Sequence, residues 1–379
     1  MDERRERTAR AVRTLGADWA VLTSADAVCY ATGHIVPIEA GASPFAGGPT
    51  TAFIGADGTA GLVAANVENL AAATVDVVQT YTGYAFEAAA DLVANYLAAV
   101  ERVATRLGVR GVLAVEPASF PAALRDRLPA TRHAEIGPTL ARARATKTPA
   151  ELALLRRAAE TAAVGQRTAL QAARAEITEL ALFAEIRLAM ENAAGERLPV
   201  TGDLLSGPAR TAGFTGWPIA RRIEAGDPLL VDLAPRVAGY WGDSCGSFTV
   251  GSAAPGYARL FRCARETLDL ALEIMRPGLA IAELDRRLRE RVARDGYAYP
   301  HHSGHSIGTA VHEYPRVVPY ETALLEPGMV LMIEPGAYDP TLGGVRTEWM
   351  IEITATGCEP VAPFPHVADT ATARAAAPH

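Results

Sequence analysis

Two stretches of the sequence end an apolar segment with a carboxylate. Ile223–Asp232 (IEAGDPLLVD) and Leu325–Glu334 (LEPGMVLMIE) share one template: an apolar residue, Glu, any residue, Gly, and then an apolar run that ends in Asp or Glu. The two copies lie 102 residues apart. Asp232 and Glu334 are therefore equivalent positions of an internal repeat, and two halves that face each other would bring them into one site.

A second carboxylate follows each copy. It ends the strings GYWGD, Gly239–Asp243, and GVRTE, Gly344–Glu348. Each apolar strand and the strand that follows it are predicted to form an antiparallel hairpin. Burying such carboxylates costs several kcal/mol unless the charges are compensated. Two pairs of this kind predict bound cations.

A nitrogen ligand is available nearby, because four of the eight histidines fall between His301 and His312 in YPHHSGHSIGTAVHEYP. One imidazole with four carboxylates suits manganese, iron, cobalt or zinc in a bridged pair. The cysteines form no C-x-x-C pair, which argues against a zinc knuckle or a disulfide framework. We expect them to be reduced and mostly buried, with Cys245 packed against the sheet. They are Cys29, Cys245, Cys263 and Cys358.

The elements that must position these residues divide into two domains. The first 135 or so residues alternate short strands with helical runs such as Phe86–Leu107, which predicts a mixed α/β domain. Thr148-Pro149 followed by Glu151 predicts a helix start after the boundary. A helix pair precedes each template copy, so the second domain is predicted to be α+β with two related halves. We expect domains at residues 1–140 and 150–365, followed by a tail at 366–379.

Composition narrows the class of protein. The net charge is -7, and no basic stripe is present that would favour nucleic acid as a partner. No apolar run approaches the roughly 18–20 residues that cross a bilayer, so we expect no membrane association and a cytoplasmic location.

Four strings carry a family resemblance: VDLAPRVAGYWGD, GHSIGTAVHEYP, MIEPG and GVRTE. They resemble the metal-site motifs of the pita-bread metallopeptidases, which include methionine aminopeptidase, aminopeptidase P and prolidase, along with the metal-free creatinase. The string YATGH, Tyr30–His34, is similar to part of the N-terminal domain of the two-domain branch. The resemblance implies a C-terminal pita-bread domain with pseudo-twofold halves, a smaller creatinase-type N-terminal domain, and a homodimer.

Carried over residue by residue, the resemblance implies a ligand set for two divalent ions, with manganese expected first and cobalt, zinc or iron also compatible. Asp232 would chelate one ion, Asp243 and Glu348 would bridge both, and His305 with Glu334 would complete the second.

The chemistry that the resemblance implies is hydrolysis of a C–N bond by a metal-bridging hydroxide. Glu334 would move the proton, and His312 would stabilise the oxyanion. His301 matches an additional substrate-side histidine, and Arg346 would orient Glu348. His302 is interpreted as a structural hydrogen-bonding residue and is left out of the site.

The sequence also departs from the family pattern. Aminopeptidase P and prolidase usually carry another histidine after a Ser-Gly turn, but Leu205–Pro218 contains none, and Gly246-Ser247 replaces a common Arg-Thr. This weakens the case for ordinary Xaa-Pro peptides. The predicted substrate-binding residues are His34, Phe214, Trp217, Tyr240 and Trp241, a set compatible with a compact non-peptide amide or cyclic amidine.

The leading hypothesis is therefore an Xaa-Pro aminopeptidase or dipeptidase that acts on a small peptide. The alternative is hydrolysis of a small non-peptide amide or cyclic amidine, similar to ectoine hydrolase or to the metal-free creatinase. A third reading, from a different class, is a catalytically inactive binding module. A serine-protease reading of Ser244 is disfavoured, because the second domain is rich in helices.

Overall fold

The computed structural model describes residues 2–38, 41 and 43–375. Its backbone contacts divide the chain into two compact units, Met1–Arg144 and Ala145–His379. This boundary falls inside the interval that the sequence analysis left between its two domains. Over the described ranges, no helix combines the length and apolarity that crossing a membrane requires.

The N-terminal unit is a six-stranded mixed sheet with helices, in the strand order β4-β3-β2-β1-β5-β6. Strand β1 pairs antiparallel with β2 and parallel with β5. The elements are α1 (Glu3–Thr14), β1 (Trp19–Leu22), α2 (Ala25–Thr32), β2 (Thr51–Gly55), β3 (Ala60–Ala65), β4 (Val77–Tyr81), α3 (Leu92–Leu107), β5 (Gly111–Val115), α4 (Ala122–Arg125), β6 (Ala130–Glu135) and α5 (Gly137–Ala145).

Strand β1 shows why this sheet has two covered faces. Ala20 and Leu22 pack into one apolar cluster, while Val21 between them packs into another. Because side chains alternate across a strand, a fully apolar strand is buried on both sides. The predicted helix Phe86–Leu107 starts later, at Leu92, because the Asp91 carboxylate accepts a hydrogen bond from the backbone N–H of Ala94 and caps the helix there.

The C-terminal unit begins with the predicted helix start. Thr148 and Glu151 form a reciprocal capping box at the first turn of α6. The elements of this unit are α6 (Pro149–Ala172), α7 (Glu179–Ala194), β7 (Val200–Thr201), β8 (Leu204–Ser206), α8 (Pro208–Ala212), β9 (Pro228–Asp232), β10 (Ala234–Val237), β11 (Tyr240–Trp241), β12 (Cys245–Thr249), α9 (Pro255–Ile274), α10 (Ile281–Arg294), β13 (Gly304–Ser306), β14 (Glu313–Val317), β15 (Val330–Ile333), β16 (Gly336–Asp339), β17 (Gly343–Arg346), β18 (Trp349–Ile353), β19 (Cys358–Pro360) and α11 (Thr370–Ala375).

The internal repeat is visible in the strand pairing. In the first half, β9 pairs antiparallel with β12, and β10 pairs antiparallel with β11. In the second half, β15 pairs with β18 and β16 with β17 in the same way. A helix pair, α6 with α7 or α9 with α10, comes before each set. Each half is thus one long hairpin that is interrupted in the middle.

The register does not shift across either interruption. Asp232 pairs with Cys245, and four residues further along Arg236 pairs with Trp241. The predicted hairpins therefore exist, but the carboxylates lie at the break in each hairpin rather than at its tip.

The segment predicted as a tail is partly packed. The Asp369 carboxylate accepts a hydrogen bond from Ala253 N, and Thr370 Oγ1 accepts one from Gly251 N. Residues 376–379 of the predicted tail lie outside the described residues.

Candidate active site

The first long hairpin supplies two carboxylates. Asp232 is the last residue of β9, and Asp243 precedes β12 by two residues. Asp243 is buried, whereas the side chain of Asp232 keeps 16% of its exposure. Asp232 thus lies at the break between β9 and β10, and Asp243 lies at the matching break between β11 and β12.

The second long hairpin supplies the other two. Glu334 follows β15 directly, and Glu348 lies between β17 and β18. Ile333 pairs with Trp349, so the two glutamates face each other across the break in this hairpin. The backbone N–H of Glu348 donates to the carbonyl of Cys245, which ties the second hairpin to the first.

His305 lies in the middle of β13, which pairs with β14 and β15. Its Nδ1 lies 2.9 Å from the carbonyl oxygen of Ser306 and donates to it, so Nε2 carries the lone pair. That Nε2 is 3.6 Å from Asp243 Oδ2 and 3.8 Å from Glu334 Oε1. A metal-binding imidazole has this arrangement, because the hydrogen bond on one nitrogen aims the other.

All five predicted ligands therefore converge on one place. Ligand atoms of Asp243, His305 and Glu348 lie within 4.8 Å of one another, and so do those of Asp232, Cys245 and Glu348. Glu348 belongs to both groups, as a bridging carboxylate would.

Three of the carboxylates have raised pKa values. Burial raises the pKa of Asp232 to about 7, helped by the charges of Asp203 and Glu334 and opposed by Arg346. Burial followed by the neighbouring carboxylates also raises the pKa of Asp243 and of Glu348 well above the usual range. Negative charge is thus concentrated where few cationic side chains reach it.

Glu334 differs from the other three. Burial alone would raise its pKa, but the contact with His302 and the charges of His302 and His305 lower it to about 2. Glu334 Oε1 lies 2.8 Å from His302 Nε2. It is therefore ionised throughout the neutral range.

This donor set fits a pair of divalent cations. Within the described part of the chain, Glu334 Oε1 and Glu348 Oε2 are buried without a well-aligned hydrogen-bond donor. Unpaired buried carboxylate oxygens are costly, and oxygen ligands with one imidazole suit divalent ions of the manganese-to-zinc series.

Arg346 corrects one prediction, since it contacts Asp232 rather than orienting Glu348. Its Nη2 lies 2.5 Å from Asp232 Oδ2 and 3.0 Å from Asp203 Oδ2. The side chain is long enough to cross from the end of β17 to β9, the strand that carries Asp232. Arg346 thus joins the two hairpins.

The histidine-rich segment forms one wall of the site. The His312 ring stacks on His305 with ring centroids 3.7 Å apart. His301 Nδ1 donates to the carbonyl of His302, so its Nε2 accepts from the Tyr338 hydroxyl at 2.8 Å. Burial lowers the pKa of His301 to about 4 and that of His312 to about 3, which keeps both rings neutral near pH 7.

His302 is a residue that the sequence interpretation left out. It contacts Glu334, and its ligand nitrogen lies within 4.8 Å of those of His305 and His312. Only His301 was selected, because it matches a family histidine, and adjacent residues on a regular strand would point to opposite faces. His301 and His302 precede β13 in irregular backbone, where this alternation does not hold.

A cavity of about 400 Å³ opens above these residues, and its lining includes all the predicted ligands, His301, His312 and Phe214. This volume is in the range of small-molecule sites. Phe214 has a positive φ of 54° and packs beside His301 and Tyr338.

The other predicted substrate contacts do not line this cavity. Trp217 is 80% exposed at the surface, and Tyr240 is buried with its hydroxyl donating to Glu151. Trp241 packs with Tyr240, since the β10–β11 hairpin lies against α6. His34 is fully buried in the N-terminal unit, with its Nε2 2.9 Å from Glu68.

Asp203 was also missed. It lines the cavity, and its Oδ1 accepts from Thr215 Oγ1 and from Gly216 N. It lies in a short connection between β7 and β8, outside both template copies. No repeat or motif in the sequence singles it out.

Comparison with known proteins agrees with this geometry. The model of metallopeptidase family M24 matches residues 153–355, and that of the creatinase/prolidase N-terminal domain matches residues 4–146. The Xaa-Pro dipeptidase of Pyrococcus furiosus is 33% identical over 57% of this chain. The putative dipeptidase YkvY of Bacillus subtilis is 31% identical over 60% of it. The matched regions span 62% and 63% of those two relatives.

Solved structures share the fold. The prolidase of Pyrococcus horikoshii has a TM-score of 0.79 at 24% identity, with 96% of this chain and 99% of that chain covered. The Xaa-Pro dipeptidase of Bacillus anthracis has a TM-score of 0.80 at 22% identity, with 97% and 99% covered. With both family models matched in order along the sequence, the chain belongs to metallopeptidase family M24 and carries a creatinase/prolidase-type N-terminal domain.

Proposed function

We propose that this chain is a dinuclear metal-dependent peptidase that cleaves the bond before proline in a dipeptide or at the N-terminus of a short peptide. The observation that carries the proposal is the convergence of four carboxylates and the free Nε2 of His305 on the floor of one cavity. The Xaa-Pro dipeptidase relatives supply the substrate class.

Two divalent ions held by Asp232, Asp243, His305, Glu334 and Glu348 would lower the pKa of water toward neutrality and polarise the scissile carbonyl. The remaining roles belong to the side chains.

Glu334 is the proton carrier in this proposal. Its lowered pKa keeps Glu334 ionised near pH 7, and its position beside His305 in the cluster places it to accept the proton that attacking water loses. The same carboxyl then delivers this proton to the leaving proline nitrogen, and the C–N bond breaks. Overall, the reaction consumes one water molecule and releases two products.

His312 and His301 have different roles in the cavity. Both rings are neutral near pH 7, so each has one N–H to donate and adds no positive charge. His301 uses its N–H on the carbonyl of His302, which leaves His312 as the donor to the oxyanion. His301, which lines the cavity, instead accepts a hydrogen bond from the Tyr338 hydroxyl.

For the metal we propose manganese first, because carboxylate oxygens dominate the donor set. Cobalt, zinc and iron also fit four oxygens and one nitrogen. Metal analysis of protein purified without added metal or chelator identifies the native ion.

The test of the function is a substrate panel on metal-free protein reconstituted with manganese or cobalt. The panel contains an Xaa-Pro dipeptide, an Xaa-Pro tripeptide, a matched Xaa-Ala dipeptide, and a non-peptide cyclic amidine. We expect proline-dependent hydrolysis that is lost on chelation and restored by metal. Hydrolysis insensitive to chelation, or none on any proline peptide, would contradict the proposal.

The same panel tests a second candidate, hydrolysis of a compact non-peptide amide or cyclic amidine. The specific observation in its favour is Phe214, which places an apolar ring at the cavity in the stretch that lacks a histidine. Turnover of the amidine but not of the dipeptides would select this function.

We also propose a cytoplasmic homodimer. The location is supported by Cys245, Cys263 and Cys358, which are free thiols, as expected in a reducing compartment. The dimer rests on the family resemblance, and light scattering coupled to size-exclusion chromatography tests it through the mass in solution.

A further inference from the structure

Cys245 lies within the metal-binding cluster. It opens β12 and pairs directly with Asp232 on β9. Residues opposite each other in an antiparallel pair project their side chains from the same face. The thiol of Cys245 and the carboxylate of Asp232 are therefore neighbours by construction of the sheet.

The distances allow these groups to share an ion. The Cys245 sulfur and one carboxylate oxygen from each of Asp232 and Glu348 lie within 4.8 Å of one another. Metal–sulfur bonds of about 2.3 Å and metal–oxygen bonds of about 2.0–2.2 Å place ligand atoms roughly 3–4 Å apart around one ion. Only a small contraction separates this arrangement from a coordination shell.

A second observation points to a ligand at this place. Glu348 is 1% exposed, and its Oε2 has no hydrogen-bond partner among the described residues. Such an oxygen is costly to bury alone, so a cation beside it would offset the cost.

Packing accounts for only part of the position of Cys245. The residue is fully buried beside Leu205, Leu230 and Tyr338, as a small apolar side chain would be. An apolar role does not explain why its sulfur faces two carboxylates. Burial raises the pKa of the Cys245 thiol well above its usual range, and Arg346 beside it opposes only part of this shift.

We propose that Cys245 is a sixth protein ligand, a sulfur donor to the ion held by Asp232 and Glu348. This inference rests on the proposed metal-dependent function. On ligation the thiol gives its proton to solvent and a sulfur–metal bond forms, with no change of oxidation state. A thiolate donor makes this position softer than the His305 position and shifts its preference from manganese toward zinc and cobalt.

The direct test is the absorption spectrum of metal-free wild-type protein titrated with cobalt(II). We expect a sulfur-to-cobalt charge-transfer band in the near ultraviolet that saturates with the ion at the Asp232 position. Cys245→Ser removes the band. Cys263→Ser, a buried cysteine in a different apolar cluster, is the matched control and retains it.

A competition experiment measures the consequence for selectivity. Cys245→Ser is expected to weaken zinc binding at one of the two positions by ~10-fold or more, while manganese binding changes less. Equal losses for both metals, or no loss for either, would overturn the inference.

The outcomes separate this inference from the function on which it rests. Wild-type protein that binds two cobalt ions without a sulfur band overturns the role of Cys245 and leaves the proposed peptidase intact. Protein that binds no cobalt overturns both. The wild-type spectrum decides even if Cys245→Ser fails to fold.

Discussion

Asp232 and Glu334 occupy the same position in the two halves of the repeat, yet their ionisation is opposite. Burial and neighbouring carboxylates raise the pKa of Asp232 to about 7, despite Arg346. The imidazoles beside Glu334 lower its pKa to about 2. The repeat builds a symmetric frame, and the neighbours in each half assign different roles to equivalent carboxylates. Glu334 stays ionised without metal, while the raised pKa values of the other three carboxyls favour their protonated forms until a cation binds.

The largest effect of a single substitution is expected at Glu334. Glu334→Gln keeps the size of the side chain but removes proton transfer and one metal ligand, so we expect kcat to fall on the order of 10²–10⁴-fold. Glu326→Gln, eight residues earlier in the same template and exposed, is the matched control and should retain full activity. Comparable activity of the two variants would remove Glu334 from the mechanism.

Asp243→Asn probes the half with raised pKa values. We expect the affinity for one metal ion to fall on the order of 10–100-fold, measured by calorimetry. Without metal, the substitution is expected to stabilise the protein. Above pH 7 the free energy of unfolding of the variant should exceed that of wild type by about 1 kcal/mol or more, because a poorly compensated buried charge is gone. Denaturant unfolding with and without metal measures the effect of the substitution on the free energy of unfolding in both states. Destabilisation in the metal-free state would show that Asp243 is compensated by groups within the chain.

The pH dependence sharpens the same contrast. A carboxyl whose folded pKa is raised, such as Asp232, contributes stability that is complete below about pH 4 and lost as the pH rises through about 7. Bound metal keeps this group ionised without that loss. Metal-induced stabilisation should therefore grow by on the order of 2 kcal/mol between about pH 5 and about pH 8.

This experiment compares metal-loaded with metal-free protein at each pH. His301 and His312 have lowered pKa values, so they contribute stability that is lost as the pH falls. Their effect on stability has the opposite sign over an overlapping pH range. Subtracting the stability of metal-free protein from that of metal-loaded protein largely removes this effect. Metal-induced stabilisation that shrinks as the pH rises would contradict the account.

The smallest expected effect comes from His302. His302→Gln removes the imidazole that contacts Glu334, so the pKa of Glu334 should rise toward its ordinary value. Near pH 7 we expect kcat to change by less than about 3-fold with little change in KM, because Glu334 remains ionised there at its ordinary pKa. The acidic limb of the pH–rate profile should move to higher pH. An unchanged profile would mean that His302 only fills space.

The sequence was sufficient for the features that follow a local pattern. The two template copies predicted Asp232 and Glu334, and the antiparallel hairpins placed Asp243 and Glu348 near them. The capping residues Thr148 and Glu151 predicted the start of α6. These features depend on spacing along the chain, which the sequence records directly.

What the sequence did not predict depends on where side chains end after folding. Asp203 reaches the cavity from an isolated connection, and Arg346 crosses to Asp232 instead of staying beside Glu348. Tyr240 and Trp241 were predicted to bind substrate, but the β10–β11 hairpin packs them against α6. Such long-range packing has no signature in a single sequence.

The most direct measurement is a crystal structure of manganese-loaded protein with an anomalous difference map. Two peaks roughly 3.5–4 Å apart are predicted. Glu348 and Asp243 should lie between them, His305 and Glu334 at one peak, and Asp232 at the other. Peaks elsewhere, or a cluster of these five residues with no peak at saturating manganese, would contradict the assignment of this site.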